Sequence, residues 1–291
     1  MSRALYVLLT TVLAAVLPAA VHGFEAEHRE TRELVAFVTD AARLVAAQGP
    51  EAACRSFRED RSRWRYGDDY VFVLDTAGRT LCHPVRPELE GQATHELKDP
   101  HGRSIVQAFL AEVRDDEDGW VHYLWPRPGG STFFWKTSYV RRAVGPDDRV
   151  YVVGSGLYQM KMERGFVVEQ VDDAAALVER EGTAAFATLR DPAAGFRFYD
   201  AYVFVFDQDG VQHVNAAFPE HEGENLLDLT DREGTVIGRE MLSVVREDGA
   251  GWVDYLWPRP GDTRAARKSS YVRGVTLDGR LYVVGAGVYF D

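Results

Sequence analysis

The decapeptide Gly119-Trp120-Val121-His122-Tyr123-Leu124-Trp125-Pro126-Arg127-Pro128 recurs with one change as Gly251-Trp252-Val253-Asp254-Tyr255-Leu256-Trp257-Pro258-Arg259-Pro260, and 132 positions separate the copies. The same offset carries Tyr70-Val71-Phe72-Val73 onto Tyr202-Val203-Phe204-Val205, and Asp75 and Gly78 onto Asp207 and Gly210. It carries Pro87, Glu90 and Gly91 onto Pro219, Glu222 and Gly223, and Lys136, Ser138, Tyr139, Val140 and Arg141 onto Lys268, Ser270, Tyr271, Val272 and Arg273. After one deletion, Tyr151-Val152-Val153-Gly154-Ser155-Gly156 meets Tyr282-Val283-Val284-Gly285-Ala286-Gly287. So many matches in register mark a tandem duplication, so the chain must fold as two copies of one unit. Its 291 residues give each copy enough length for a core of its own.

Each unit can be read once and checked on its copy. Leu34, Phe37, Val38, Ala41, Leu44 and Val45 fall at helical spacing, and Gly49-Pro50 ends that helix. Its counterpart runs from Phe166 to Glu181, ending at Gly182. A short helix over 51–57 precedes the β-branched and aromatic run Tyr70 to Leu74. The turns at Asp75-Thr76-Ala77-Gly78 and Asp207-Gln208-Asp209-Gly210 send a second strand back through 80–83 or 211–215. Ile105, Phe109, Leu110 and Val113, repeated as Ile237, Met241, Leu242 and Val245, form the apolar face of another helix. Strands over 119–125, 135–141 and 150–158 finish the unit. This order predicts an α+β fold: two modules, each an antiparallel sheet of about five strands flanked by helices, with the helices expected on one side. We place the modules at 24–158 and 159–291. Residues 159–164 are expected to extend the helix leading into the second module, giving a rigid join without a Pro/Gly linker.

Residues 1–23 read as a secretory signal peptide. Arg3 gives a positive start, Ala4 to Val16 is apolar apart from a Thr pair, and Val21-His22-Gly23 offers a cleavage end. The alternative is an uncleaved anchor, since 4–21 is about 18 residues and almost spans a bilayer. The polar stretch Glu25 to Glu33 favours cleavage, after which no membrane span remains and the protein is periplasmic or secreted. In such a compartment Cys54 and Cys82 suit a disulfide, the alternative being two separately buried thiols. Val214 stands where Cys82 would repeat, so a bridge would staple one module only. A net charge of −12 argues against nucleic acid as partner, while leaving room for a small anion held by one buried cation.

The YVFV strand followed by Asp-x-x-Gly, the Pro-Glu-x-Glu-Gly loop, the Gly-Trp-Val-x-Tyr-x-Trp-Pro strand, Lys-x-Ser-Tyr-Val and Tyr-Val-Val-Gly-x-Gly-x-Tyr together resemble the Cache domains. These are extracellular sensor modules related to the PAS fold. The resemblance covers both units and implies a tandem double Cache protein whose modules bind small metabolites, often carboxylates or amino acids, between the sheet and a flap of helix and loop. Cache modules usually sit on chemoreceptors, histidine kinases or cyclases. Here the sequence stops at Asp291 directly after the last strand. The expectation is therefore a protein without an output domain, acting through a membrane receptor or histidine kinase or serving as a soluble binding protein.

Strand alternation puts Val121, Tyr123 and Trp125 on one face and Trp120, His122 and Leu124 on the other, which Asp254 in the copy marks as partly solvated. Tyr123 and Trp125, with Tyr255 and Trp257, then either line a pocket or form plain core. Lys136 and Ser138 share a strand face, as do Lys268 and Ser270; a lysine there could pair with a ligand carboxylate or lie exposed. Tyr139 and Tyr271 fall on the opposite face and are weaker candidates. His83 and Asn215 hold matching positions beside the Pro-Glu-x-Glu-Gly loop, which is either a flap or a solvated turn. No metal-ligand spacing, nucleophile elbow or P-loop occurs, so neither an enzyme nor a cofactor is expected. Asp115 to Asp118 reads as a solvated turn or a weak Ca²⁺ site. The rival to small-molecule binding is a protein–protein scaffold, an accessory module of a membrane signalling complex with no small ligand.

Overall fold

The computed structural model describes residues 25–290, so the leader at 1–23 lies outside the described residues. Module 1 opens with α1 (Arg29–Gln48) and α2 (Pro50–Arg58). They are separated by Gly49, whose φ of 78° lets the chain turn, and Pro50 supplies the fixed φ that suits a first helical position. The small hairpin β1 (Arg65–Tyr66) and β2 (Asp69–Tyr70) leads into β3 (Phe72–Asp75) and β4 (Thr80–Cys82). Helix α3 (Ile105–Asp115) follows, then the long strands β5 (Asp118–Pro126), β6 (Phe133–Val144) and β7 (Val150–Tyr158). Module 2 repeats this with α4 (Arg164–Glu181), α5 (Ala185–Arg190), β8 (Arg197–Phe198), β9 (Ala201–Tyr202), β10 (Phe204–Asp207), β11 (Gln212–Asn215), α6 (Ile237–Asp248), β12 (Ala250–Pro258), β13 (Ala265–Leu277) and β14 (Arg280–Tyr289).

Each module has one five-stranded antiparallel sheet, ordered β4-β3-β7-β6-β5 and β11-β10-β14-β13-β12. The last strand returns to the middle and pairs with the first, closing the core around β7 and β14. The expected α+β class and five-strand sheets are thus present, but the helices cover both faces. Helices α1 and α2 pack on Val71, Val73, Tyr151 and Val153, while α3 packs on Phe72, Leu74, Tyr123 and Val152. The runs YVFV and YVV are continuously apolar instead of alternating, which is the pattern of strands buried on both sides.

Glycine makes the central strand possible. A Cβ on Gly154 would come within 2.3 Å of the Phe72 ring, and one on Gly285 within 2.4 Å of the Phe204 ring. The repeated Gly-x-Gly is therefore a packing requirement, since a buried ring has little freedom to withdraw.

The connection between modules differs from expectation. Residues 159–163 are not helical, Gln159 adopts a φ of 50°, and α4 begins at Arg164. Glu163 is fully buried and turns its carboxylate to the start of α1, accepting from the backbone N–H of Glu27 at 2.9 Å and of His28 at 3.0 Å, and from the Thr31 hydroxyl. A carboxylate at a helix N-terminus satisfies donors that lack intrahelical partners and complements the helix dipole. The His122 face of β5, expected to be partly solvated, instead meets module 2. His122 stacks on Phe198 with ring centroids 3.9 Å apart, and Trp120 and Trp135 pack against the second core. Replacing the buried carboxylate by Glu163→Ala should lower stability by about 2–3 kcal/mol. Urea unfolding measures the loss, and amide exchange should show the first turn of α1 opening most.

Candidate functional site

The site grows from strand register. Lys136 on β6 lies directly between Tyr123 on β5 and Tyr158 on β7, and Lys268 on β13 between Tyr255 on β12 and Tyr289 on β14. Cross-strand neighbours at such spacing put a tyrosine ring on each side of the amine. The third ring comes from the strand entering the sheet, Tyr70 in module 1 and Tyr202 in module 2. Both lysines are buried, so each carries an ammonium into an aromatic enclosure.

The two enclosures differ in one respect. In module 1, Lys136 Nζ donates to Tyr70 Oη at 2.8 Å and sits 4.0 Å from that ring's centroid. In module 2, Lys268 Nζ sits 3.9 Å from the Tyr202 centroid and 5.1 Å from that of Tyr289, but has no hydrogen-bond partner. The Tyr202 hydroxyl lies instead 3.4 Å from the Tyr289 hydroxyl. Desolvation by burial pulls both amines down to about 7, opposed by Asp69 and Asp68 in module 1 and by Asp200 in module 2. Asp200 is held 2.5 Å from Arg259, as Asp68 is paired with Arg127. These pairs fix the Pro-Arg-Pro end of each repeated strand, which explains why both copies keep that arginine.

Ser138 and Ser270 share the lysine face as expected, and each is satisfied within the sheet. The Tyr123 and Tyr255 hydroxyls lie 2.9 Å from their oxygens. The second glycine of Gly-x-Gly makes room for this pair: a Cβ on Gly287 would lie 2.4 Å from Ser270 Oγ and 2.7 Å from Lys268 Cε. Trp125 is buried beside Tyr123, and Trp257, only partly buried, takes the same place beside Tyr255. In module 1 a small cavity of about 30 Å³ is lined by Tyr70, Phe72, His83, Phe109, Tyr123 and Trp125, among others. That is room for a water or two, at ~10–15 Å³ of such volume each.

His83 lies on the wall of this cavity with Nδ1 buried and unpartnered, and burial, assisted by Lys136, lowers its pKa to about 3. The ring is therefore neutral and can bond to a ligand. Asn215, its counterpart, is not placed for this. Its Oδ1 accepts from Ala217 and Phe218 N–H and its Nδ2 donates to Gln212, so it caps the turn after β11.

Other sequence candidates fall elsewhere. Tyr139 packs under α1 with Leu34 and Val38, and Tyr271 packs against the α4-side core, because alternation turns both away from the lysines. The expected disulfide is not formed. Cys54 and Cys82 are free thiols in the apolar cluster with Phe57, Val71 and Val73, where the Cys54 hydrogen bond and burial keep Cys82 neutral. The Pro-Glu-x-Glu-Gly loop is tied down: Glu90 accepts from His83 N–H and pairs with Arg58, and Glu222 does the same with Asn215 and Arg190. Four residues of the enclosure escaped the sequence reading, namely Tyr70, Tyr202, Tyr158 and Tyr289. Their signal was present, a tyrosine repeated at the start of the first strand and the end of the last, but only pairing across β7 and β14 brings them to the lysine.

Two antiparallel sheets covered by helices, each with a lysine enclosed by tyrosines, define a tandem α+β fold duplicated in detail. Residues 40–164 match the family model described as Single Cache domain 2 and residues 182–291 that described as Cache domain, and the chain belongs to the Cache domain family. It is 31% identical over 181 residues to the methyl-accepting chemotaxis protein McpP of Pseudomonas putida, covering 58% of this chain and 32% of that protein. It is 39% identical over 92 residues to the sensor histidine kinase MctS of Rhizobium johnstonii, covering 32% of this chain and 19% of that protein. The chain thus spans a third or less of these curated relatives. Among solved structures, a periplasmic sensor domain of a chemotaxis protein is 31% identical, with 43% of this chain and 88% of that chain covered and a TM-score of 0.35. A Cache chemosensory domain studied for carboxylic acid recognition is 26% identical, with 43% and 92% covered and a TM-score of 0.38.

A buried amine without a partner is a liability to the fold. Lys268→Met, which keeps the stem and removes the charge, should raise the urea midpoint, by about 1 kcal/mol or more of stability. A lowered midpoint would show that the amine is satisfied in the free protein.

Proposed function

We propose that this chain is an extracytoplasmic sensor that binds a small carboxylate at Lys268 in module 2 and passes its occupancy to a separate membrane receptor or histidine kinase. The observation that carries this reading is the Lys268 ammonium, buried among Tyr202, Tyr255 and Tyr289 with no hydrogen-bond partner. A carboxylate there would gain a charge-assisted bond of about 1.5–3 kcal/mol and relieve the desolvated cation. The tyrosine hydroxyls around it offer further donors. The matched relatives are a chemoreceptor and a sensor histidine kinase, which supports sensing over a scaffold role. No helix among the described residues is long and apolar enough to cross a membrane. Module 1, with Lys136 already bonded to Tyr70 and little free space, is the weaker binder; a ligand entering it would displace that bond and meet His83.

Thermal unfolding with acetate, propionate, pyruvate and lactate tests the reading. A ligand at 100 times its Kd should add about 2.7 kcal/mol of stability, and Lys268→Met should abolish the gain. No shift with any short carboxylate, together with a partner recovered by pull-down, would favour the scaffold instead. The pH dependence has a definite sign. The free amine titrates near 7, and a bound carboxylate holds it protonated, so binding takes up a proton above that pH. Affinity measured by calorimetry should be flat below about pH 6 and fall by roughly tenfold per pH unit above about pH 7. Affinity that stays constant to about pH 9 would remove Lys268 from the ligand contact.

A further inference from the structure

A second concavity lies between the modules, away from both lysines. It has a volume of about 900 Å³ and is walled by α3 and β5 of module 1 and by α4 and the 192–198 segment of module 2. Its polar groups are not those of a casual groove. Gln170 on α4 is 6% exposed, and neither its amide oxygen nor its amide nitrogen has a partner. Arg103 is 8% exposed and its Nε is also without a partner, its only side-chain bond being from one terminal nitrogen to Arg197 O at 3.4 Å. The nearby Asp99 does not serve it, because that carboxylate accepts from the backbone N–H of His101, Arg103 and Leu124.

These groups lie on one surface. Gln170 follows Phe166 by one helical turn, so both show the same face of α4. Phe166 meets the His122 ring edge-on with centroids 4.7 Å apart, and His122 stacks on Phe198. Arg103 is close enough to His122 to help hold its pKa down, after burial, at about 3. The floor is therefore an aromatic strip of Trp120, Phe166 and Phe198 with an amide at one point and a guanidinium at another.

Charge narrows the ligand. Among the described residues Arg103 is the only arginine or lysine lining the cleft, whereas Glu112, Asp116, Asp118, Glu169, Asp172 and Asp173 also line it. Asp118 and Asp172 are paired with Arg141 and Arg273, and Glu112, Asp116, Glu169 and Asp173 are engaged as well, so the wall acts through its summed negative charge. A simple anion would be attracted by Arg103 and repelled by the carboxylates around it. A molecule with both a carboxylate and an ammonium satisfies both demands, and Gln170 can donate to the one and accept from the other.

We propose that the cleft between the two modules is a binding site for a small zwitterion of the α-amino-acid class, its carboxylate on Arg103 and Gln170 and its ammonium toward the acidic wall. The site exists only where the modules meet, and neither copy can form it alone: Arg103 corresponds to Thr235 in the repeat. Occupancy would hold α4 against β5, so a zwitterion here would stiffen the joint that a carboxylate at Lys268 does not touch.

Thermal unfolding of the full chain with each common α-amino acid provides the test. Every amino acid that raises Tm is repeated as its decarboxylated amine and its deaminated acid. The expected result is a shift with at least one amino acid, much reduced for either fragment, and a Kd weakened roughly tenfold or more in Gln170→Leu and in Arg103→Met. Lys268→Met and Lys136→Met should bind it as the native chain does. If Arg103→Met does not fold, Gln170→Leu decides alone. The proposal is overturned if no amino acid raises Tm, if Gln170→Leu binds unchanged, or if Lys268→Met abolishes the shift, which would move the ligand into the module 2 enclosure.

Discussion

Burial of each sheet on both faces is the constraint from which the rest follows. The central strands β7 and β14 are apolar along nearly their whole length, so helices must cover them from two sides. Those packing on Phe72 and Phe204 require Gly154 and Gly285, because no side chain fits beneath the rings. The face toward α3 and α6 then closes over the lysines. The other face needs α1 in module 1 and α4 in module 2, which fixes where the second module begins.

Within that frame, a lysine is held where its charge is least welcome. The tyrosine rings offer cation–π attraction, worth ~2 kcal/mol when desolvated, against a larger desolvation cost. Module 1 offsets the difference with the Tyr70 hydroxyl. Module 2 turns the equivalent hydroxyl toward Tyr289 and leaves the amine unmatched. The two copies thus differ in whether the buried amine has a hydrogen-bond partner. Duplication supplied the same residues twice, and packing gave them different states.

The joint uses polar burial in the same way. Glu163 is buried but fully engaged with the start of α1, so it cements the connection. Gln170 and Arg103, which line the cleft between the modules, are buried with atoms left unmatched. Buried polar atoms in a folded protein are ordinarily bonded, and this contrast is the observation on which the proposed cleft site rests.

The sequence alone determined the duplication, the α+β class, nearly every element and the lysine-bearing strand, because periodicity and a 132-residue offset are local and repeatable signals. It also put Tyr123 with Trp125 on one face of their strand and Lys136 with Ser138 on one face of theirs, since strand alternation follows from backbone geometry, while the register that joins the two pairs came from the sheet. It could not show helices on both sheet faces, because a continuous apolar run reports burial without saying what covers it. Nor could it separate His83, which lines a cavity, from Asn215, which caps a turn, as their surroundings come from distant segments. Tyr70 and Tyr158 reach Lys136 across 66 and 22 residues of chain, and only the return of the last strand to the centre of the sheet brings them there. The inter-module cleft was likewise invisible, because Arg103 and Gln170 belong to different copies and meet only through the packing of one module on the other.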